Sequence, residues 1–335
     1  MRLEQTRHAS LRDLPPPPPG KTGWPWTEES EPLAAQMPDG RPWPRITVVT
    51  PSFNQGQFLE ATIRSVLLQR YPELEYFVLD GGSTDGSVDT IRRYAPWLSH
   101  WVSEPDGGQS AAINRGLERG SGVYATWINS DDMLCRNALG SHATRIGFQP
   151  NTIYVGQCAY IDAAGRTLTT HCGRVHTIED LVRIGTVWRA AGRQGHIVQP
   201  EVLFPRQLAL DVGGLDPDNH RTMDYELWGK FLLAGARFEY TQLPIGMFRV
   251  HPAQKTYDGW RQTESLIATA SRLVARAHTV PAETRQQMLA DLQAYEADCW
   301  RRSGRLARFG LPRDVVMRVR AWRAALARHV HRFAS

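Results

Sequence analysis

Acidic, amide and glycine residues recur in four short clusters within the first half of the chain. The clusters are TPSFN at residues 50–54, DGGSTD at 80–85, EPDGG at 104–108 and NSDD at 129–132. In the last cluster Asp131 and Asp132 are adjacent, and two carboxylates repel each other unless solvent or a cation separates them. Oxygen ligands of this kind suit Mg²⁺ or Mn²⁺, which also bind phosphate oxygens. An N-cap for the helix expected near Arg136 is the alternative, and capping and metal binding can coexist.

Each cluster follows a short apolar run that is typical of a buried strand. These runs lie at residues 46–50, 76–79, 100–103 and 123–128, and segments with apolar residues at helical spacing separate them. Alternating strands and helices predict the α/β class, with a doubly wound, mostly parallel sheet and helices on both faces. Ligands of such sheets bind at the carboxyl ends of the strands, so the four clusters predict one ligand site. The GxxxxGK[ST] and GxGxxG fingerprints are absent, which argues against ATPase and dinucleotide-binding folds.

Composition places the 335-residue chain among soluble globular proteins, with 41% apolar and 22% charged residues. No apolar run is long enough to span a membrane, and no secretory signal begins the chain. The four cysteines lack a CxxC spacing, which indicates reduced thiols in a cytoplasmic protein. The net charge is +5, but residues 301–335 contain ten Arg and one Asp, so the other 300 residues carry −4. This balance argues against nucleic-acid binding by the body of the protein.

Taken in order, the clusters resemble the successive motifs of glycosyltransferase family 2. The resemblance extends to AIN at residues 112–114, to DYELW at 224–228 after VGGLD at 212–216, and to RVH at 249–251. It covers about residues 45–255 and implies a GT-A-like fold. It also implies inverting transfer of one sugar from a nucleotide-sugar donor, with a UDP-sugar favoured, to a glycan or lipid-linked glycan acceptor in cell-surface polysaccharide synthesis. The QxxRW motif and spanning helices of processive members are absent.

The resemblance also assigns roles to individual residues. It implies Asp224 as the catalytic base, and Asp131 with His251 as ligands of a divalent cation, Mn²⁺ or Mg²⁺. The residues expected to bind the donor are Thr50, Pro51, Ser52, Asn54, Asp80, Ser83, Asp106, Gly108, Asn114, Asn129, Ser130 and Arg249. Weaker expectations for the acceptor are Trp188, His196, Gln199 and Glu226.

Two positions depart from the family pattern, and they keep other functions open. Asn129 stands where the metal motif usually has its first acid, and Met223 stands where an acid usually precedes the base. An inactive nucleotide-sugar-binding scaffold is therefore one alternative. A sugar-phosphate nucleotidyltransferase is another, although residues 50–54 lack the basic, glycine-rich loop which that class usually carries.

Three regions are expected along the chain. Residues 1–44 form an arm rich in Pro and Trp with little regular structure, either disordered or docked by its tryptophans. Residues 45–260 form the catalytic domain, with a nucleotide-sugar half at 45–135 and an acceptor half at 136–260. Residues 261–335 form a helical extension.

Residues 313–333 of this extension have the pattern of a basic amphipathic helix. Arginines surround an apolar stripe made of Val315, Val319, Trp322, Leu326, Val330 and Phe333. The pattern suits an anionic membrane surface, such as the inner face of the cytoplasmic membrane, or packing against the catalytic domain.

Overall fold

The computed structural model describes residues 9–185, 196–255 and 259–307. Its strands are β1 (Ile46–Ser52), β2 (Leu74–Asp80), β3 (His100–Ser103), β4 (Tyr124–Trp127), β5 (Met133–Leu134), β6 (Thr152–Ile161), β7 (Thr167–His171), β8 (Val202–Pro205) and β9 (Arg237–Arg249). Its α-helices are α1 (Gly56–Leu67), α2 (Ser87–Tyr94), α3 (Gln109–Arg119), α4 (Ala138–Arg145), α5 (Ile178–Val182), α6 (Arg206–Asp211), α7 (Met223–Leu233), α8 (Gly259–Arg276) and α9 (Ala282–Ala307). Short 3₁₀ turns occupy Ala95–Trp97 and Gln199–Glu201.

The described strands form one sheet in the order β3-β2-β1-β4-β8-β6-β9-β5, with β7 added beside β6. Pairing is parallel from β3 through β4 and between β6 and β9. Strands β5, β7 and β8 pair antiparallel with their neighbours. The α/β class with a mostly parallel sheet is confirmed.

The second half of the sheet differs in detail from the sequence prediction. The apolar runs at residues 153–155 and 159–161 predict two short strands, whereas the structure has the single strand β6. Gly156 keeps this strand continuous beside β9, because a Cβ there would lie 2.5 Å from the Leu243 carbonyl oxygen. The thirteen-residue strand β9 was not predicted, because its residues alternate polar and apolar only in part.

Helices α1 and α3 cover the part of the sheet formed by β1 to β4. Strands β1 and β2 are buried along their whole length, as expected of central parallel strands covered on both faces. Helix α3 approaches β1 so closely that a Cβ on Gly116 would lie 2.6 Å from the methyl groups of Val49. This packing fixes the loops at the carboxyl ends of β1 to β4 relative to one another.

An aromatic cluster joins α7 to the sheet. The indoles of Trp127 on β4 and Trp228 on α7 stack with centroids 5.8 Å apart and planes 19° apart, and Phe204 and Phe231 pack around them. Both tryptophans are buried. Removal of such a side chain typically costs ~3–5 kcal/mol of folding free energy. The cluster therefore holds the first turn of α7, which carries Asp224, in a fixed position relative to the end of β4.

The described part of the N-terminal arm, residues 9–44, contains no helix or strand, yet it packs on the domain. Leu14, Met37 and Trp43 are buried in the core cluster that also contains α1. Of the two alternatives stated above for the arm, the structure shows the docked one.

At the other end of the chain, α8 and α9 form the expected helical extension. The amphipathic segment 313–333 lies outside the described residues. Within the described ranges, no helix has the length and apolar character needed to cross a membrane.

Candidate active site

A cavity of about 1850 Å³ runs along the carboxyl ends of β1 to β4 and reaches the β6–β7 hairpin and the first turn of α7. Each of the four predicted clusters contributes to its wall. The contributions include Ser52, Gly81, Asp106 and Asp131. The sheet thus brings together segments that are separated by about 80 residues. The cavity is larger than a typical single-ligand pocket of ~300–1,000 Å³, so it has room for two substrates.

At one end of the cavity, Asp80 organises the loop after β2. One oxygen of its carboxylate accepts hydrogen bonds from Ser83 N at 2.8 Å, Gly82 N at 3.2 Å and the Ser103 hydroxyl at 2.7 Å. The other accepts from the Ser83 hydroxyl. Asp80 is only 1% exposed. Its side chain therefore holds the loop that carries Gly81, and Gly81 itself lines the cavity.

Three other residues expected at the donor end also hold the protein together. The hydroxyl of Thr50 lies 3.0 Å from that of Tyr76 inside the sheet. The amide oxygen of Asn54 accepts from Thr84 N at 2.9 Å and joins the first loop to the second. Asn114 exchanges two hydrogen bonds with the backbone of Leu215. In the structure these three side chains hydrogen-bond to protein groups, and their direct contact with the donor stays a prediction.

The NSDD loop after β4 places its four polar residues on the wall of the cavity. Asn129 donates from Nδ2 to Asp132 Oδ2 at 3.1 Å and accepts at Oδ1 from Gln109 Nε2 at 2.7 Å. Asp132 also accepts from Arg249 N at 2.8 Å. Burial, and then the neighbouring Asp131 carboxylate, raise the pKa of Asp132 well above its ordinary value. Asn129 thus supports a buried carboxyl with its amide donor, which an acid at this position would not do.

Asp131 and His251 meet across the end of β9. His251 Nε2 lies 2.9 Å from Asp131 Oδ2, and its ring packs against Phe58 with centroids 4.8 Å apart. The intervening Arg249 is buried, and its guanidinium donates to the backbone carbonyls of Asp131, Asp162 and Ala163. Arg249 therefore fixes the backbone of the NSDD loop, and its predicted contact with the donor stays a prediction.

The Asp131–His251 pair fits a divalent cation as a partial ligand set. A carboxylate oxygen and an imidazole nitrogen are both accepted ligands of Mn²⁺. Among the described residues, no group of three or more His, Cys, Asp or Glu side chains converges to hold a metal. Mg²⁺-type sites in enzymes that bind phosphorylated substrates often use one or two protein carboxylates, with phosphates and water completing the shell. The ligand set formed by Asp131 and His251 matches that arrangement.

Asp224 lies on the first turn of α7 and lines the same cavity as Asp131. Its Oδ1 accepts from Tyr225 N at 2.8 Å. Desolvation raises the pKa of its carboxyl above the ordinary value. Met223, at the position where the family pattern has an acid, accepts a hydrogen bond from the Ser110 hydroxyl at 3.0 Å. Asp224 is therefore the carboxylate of this turn that faces the cavity.

The expected acceptor residues divide into three groups. Gln199 and His196 line the cavity, and His196 Nε2 lies 3.5 Å from the Tyr160 hydroxyl. Glu226 points toward α8, where it accepts from Asn219 Nδ2 at 2.6 Å and lies 3.7 Å from Arg272. Residues two apart on a helix point in different directions, so Glu226 cannot share the orientation of Asp224. Trp188 lies outside the described residues.

Gln109 and Lys255 are among the polar residues of the cavity that were not singled out from the sequence. Lys255 Nζ donates to Gln109 Oε1 at 2.8 Å, and Gln109 Nε2 in turn donates to Asn129. This chain of contacts crosses the cavity from the segment after β9 to the NSDD loop. Gln109 begins helix α3 directly after the EPDGG cluster. Its place next to a predicted loop of the site could have identified it from the sequence. Lys255 follows no pattern that identifies it.

The sequence-predicted residues found on the cavity wall are Pro51, Ser52, Asp106, Gly108, Asn129, Ser130, Asp131, His196, Gln199 and Asp224. Thr50, Asn54, Asp80, Ser83, Asn114, Arg249 and His251 instead hydrogen-bond to protein groups beside the wall, and Glu226 faces away from it.

Comparison with known proteins gives the same family in sequence and in fold. The model described as glycosyl transferase family 2 matches residues 47–188, and the one described as glycosyl transferase family group 2 matches residues 126–325, more than half of the chain. An uncharacterized glycosyltransferase of Rickettsia typhi is 24% identical over 250 residues, which cover 73% of this chain and 74% of that protein. The putative teichuronic acid biosynthesis glycosyltransferase TuaG of Bacillus subtilis is 38% identical over 99 residues, 29% of this chain and 39% of TuaG.

Solved structures share the fold at lower identity. The crystal structure of S. aureus TarS 1–349 in complex with UDP-GlcNAc has a TM-score of 0.55 at 16% identity and covers 74% of this chain and 71% of that one. The mannosyltransferase PcManGT from Pyrobaculum calidifontis, in complex with GDP-Man and Mn²⁺, has a TM-score of 0.51 at 21% identity. The match covers 85% of this chain and 80% of that one. The chain belongs to glycosyltransferase family 2 and is a glycosyltransferase.

Proposed function

We propose that this glycosyltransferase moves one sugar from a nucleotide-sugar donor to a hydroxyl of a glycan or lipid-linked glycan, by direct displacement with inversion. The observation that carries the proposal is the position of Asp224 in the cavity that also contains the Asp131 loop. A base and a diphosphate-binding loop in one cavity are the two parts that a single displacement needs.

Asp224 acts as the general base in this mechanism. The acceptor hydroxyl is a weak nucleophile until a carboxylate removes its proton as the new bond forms. Burial raises the pKa of Asp224, and a raised pKa makes its carboxylate a stronger base than an exposed aspartate. The proton passes from the hydroxyl to the Asp224 carboxylate while the anomeric carbon loses the nucleoside diphosphate. Attack from the face opposite the leaving group inverts the anomeric centre.

Asp131 and His251 are the residues proposed to hold Mn²⁺ or Mg²⁺, with Asn129 and Asp132 supporting the loop. A divalent cation bound there would neutralise the charge that develops on the departing diphosphate. Lys255 and Gln109 contact each other within reach of the same loop and provide further polar contacts for the diphosphate. Pro51, Ser52, Gly81 and Asp106 form the wall proposed for the nucleoside and sugar.

A UDP-sugar is the favoured donor, and a cell-surface polysaccharide precursor is the favoured acceptor. TarS binds UDP-GlcNAc in its crystal structure, and the name of TuaG refers to teichuronic acid biosynthesis. The Mn²⁺ in PcManGT supports the proposed cation. The opposite end of the cavity carries Tyr160, Phe248 and His196 on and beside the β6–β7 hairpin. Aromatic faces beside hydrogen-bonding groups suit a sugar ring, so we assign this end to the acceptor.

A donor screen with matched variants tests the proposal. The purified protein is incubated with UDP- and GDP-sugars, Mn²⁺ and an extract of lipid-linked glycans, and release of the nucleoside diphosphate is followed. Asp224→Asn should keep its nucleotide affinity and lose turnover by a factor of ~10² or more. Glu226→Gln, on the same helix but facing α8, should retain turnover while it is folded. The proposed mechanism fails if Asp224→Asn turns over at the wild-type rate. Absence of turnover with every donor would favour the inactive scaffold.

A further inference from the structure

The N-terminal arm contacts the loop that carries Asp131, although the family 2 match begins only at residue 47. Trp24 donates its indole N–H to the backbone carbonyl of Leu134 at a distance of 2.8 Å. Trp26 packs in a small cluster with Met133, Ile161 and Met247. Met133 and Leu134 form β5 and follow Asp131 and Asp132 directly. The arm therefore touches the strand that ends the NSDD loop.

Backbone carbonyls of this loop have hydrogen-bond partners on several other elements. The Thr62 hydroxyl lies 2.9 Å from the Ser130 carbonyl and 2.7 Å from that of Asp132. Arg249 Nε donates to the carbonyl of Asp131 at 2.7 Å, and Leu134 N donates to the Ser65 hydroxyl at 3.0 Å. The Leu134 carbonyl accepts a hydrogen bond from the Trp24 indole N–H. Leu134 is fully buried, and a buried carbonyl without a partner costs free energy comparable to a lost hydrogen bond.

Arg64 anchors the arm to the helix that holds the loop. It is fully buried on α1, two residues from Thr62. Its guanidinium donates to the carbonyls of Pro15, Pro25 and Trp26 at 2.7, 3.0 and 3.0 Å, and lies 5.5 Å from the centre of the Trp26 ring. A buried arginine needs all of these acceptors. The position of Trp24 is thus tied to α1, the same element that positions the two ends of the loop.

We propose that the N-terminal arm is part of the metal-site architecture and that Trp24 is a positioning residue for the Asp131 loop. Its indole N–H binds the Leu134 carbonyl on β5, directly after the loop, and thereby limits the motion of Asp131 relative to His251. The inference rests on the proposed function to the extent that Asp131 holds a cation.

Two tryptophan variants provide a matched comparison. Trp43 also donates its indole N–H to a backbone carbonyl at 2.8 Å, but its partner is Ala34, within the arm. Trp24→Phe and Trp43→Phe each remove one such donor and keep an aromatic ring. Only the first removes a contact with the loop. A general loss of stability would affect both variants, whereas loss of positioning would affect Trp24→Phe alone.

The first readout is the affinity for UDP, measured by calorimetry with Mn²⁺ and with EDTA. The ratio of the two affinities reports the cation site separately from nucleoside binding. Trp24→Phe should reduce this ratio by about 3- to 10-fold, the effect of one neutral hydrogen bond. Trp43→Phe should leave it within about twofold of the wild type. Equal ratios in both variants and the wild type would overturn the proposal, as would an equal fall in both variants.

The second readout is hydrogen exchange of the amides in residues 129–136, which does not require a cation. Trp24→Phe should speed exchange in this segment, and Trp43→Phe should not. Unchanged exchange in Trp24→Phe would overturn the proposed positioning role. If the wild type shows no effect of Mn²⁺ on UDP affinity, the cation in the proposed function is refuted, and the exchange data alone decide the role of Trp24. If Trp24→Phe does not fold while Trp43→Phe does, Trp24→Tyr replaces it in both measurements.

Discussion

Replacing Asn129 with Asp would restore the acid that the family 2 metal motif usually carries, and we expect it to destabilise the protein. The Asn129 amide donates to Asp132 Oδ2 at 3.1 Å and lies 3.3 Å from Gln199 Oε1. In Asn129→Asp, a carboxylate oxygen would take the place of that donor. It would face the oxygens of both neighbours, and Asp132 is only 1% exposed.

The size of the effect follows from the proximity of the two carboxyls. Two like charges about 4 Å apart at an effective dielectric constant of about 20 repel by about 4 kcal/mol. The pair avoids this repulsion by keeping one proton. Burial already raises the pKa of Asp132 in the wild type, so the pair retains one proton at pH 7 for less than the full cost of protonating an ordinary carboxyl. We therefore expect a loss of ~2–4 kcal/mol at pH 7.

The sign of the pH dependence identifies the cause. The folded-state pKa of the carboxyl pair is raised above the unfolded value, so its proton is bound more tightly in the folded protein. The variant should lose stability as pH rises, so the loss relative to the wild type should be smaller near pH 5 than near pH 7. Asn129→Ala removes the amide without adding a charge, so its stability relative to the wild type should depend much less on pH.

Urea unfolding of the wild type, Asn129→Asp and Asn129→Ala at pH 5 and pH 7, followed by tryptophan fluorescence, measures these differences. Mn²⁺ should recover part of the stability lost by Asn129→Asp, since a cation relieves the repulsion. The reasoning is refuted if Asn129→Asp is as stable as the wild type at pH 7 in the presence of EDTA.

Four further predictions follow from the site and the core. Asp131→Ala should abolish the effect of Mn²⁺ on UDP affinity in a titration, and retention of that effect would move the cation elsewhere. Because burial raises the pKa of Asp224, the acidic limb of the kcat/KM profile should have its midpoint above about 4, the value of an ordinary aspartate, and a midpoint at or below it would contradict the assignment. Burial lowers the pKa of His142 to about 4, so stability should be complete above about pH 6.5 and fall by ~3 kcal/mol as pH drops to 4, a loss that His142→Gln should largely remove in unfolding experiments. For the segment 313–333, salt-sensitive co-sedimentation with anionic liposomes should disappear in a chain cut after Gly310, and failure of the full chain to sediment would exclude the membrane surface.

The placement of the loops was predictable from the sequence because strand ends follow directly from hydrophobic runs. Residues 50–54, 80–85, 104–108 and 129–132 meet as expected, since parallel strands bring their carboxyl ends to one edge. The orientation of individual side chains was less predictable. Asp80 and Arg249 bind backbone groups of their own or neighbouring loops, and backbone groups leave no mark in the sequence.

The orientation of Glu226 and the docking of the N-terminal arm differ in how far they follow from the sequence. The 3.6-residue period of α7 already separates Glu226 from Asp224, so the orientation of Glu226 could be derived without coordinates. The docking of the arm could not be derived from the sequence. The buried Arg64 finds its acceptors in the carbonyls of Pro15, Pro25 and Trp26, and a carbonyl is present at every residue. Only the three-dimensional structure selects which carbonyls those are.

The arm also has a consequence for the order of events during synthesis. Trp24 leaves the ribosome first, but its hydrogen-bond partner Leu134 is 110 residues further along the chain. At about 5–20 residues per second, the arm waits on the order of 5–20 s before that partner exists. Its many prolines keep it extended and unsuited to strand pairing during this interval. The arm therefore cannot dock before residue 134 has been made, and the NSDD loop cannot reach its final rigidity before the arm has returned to the strand that follows it.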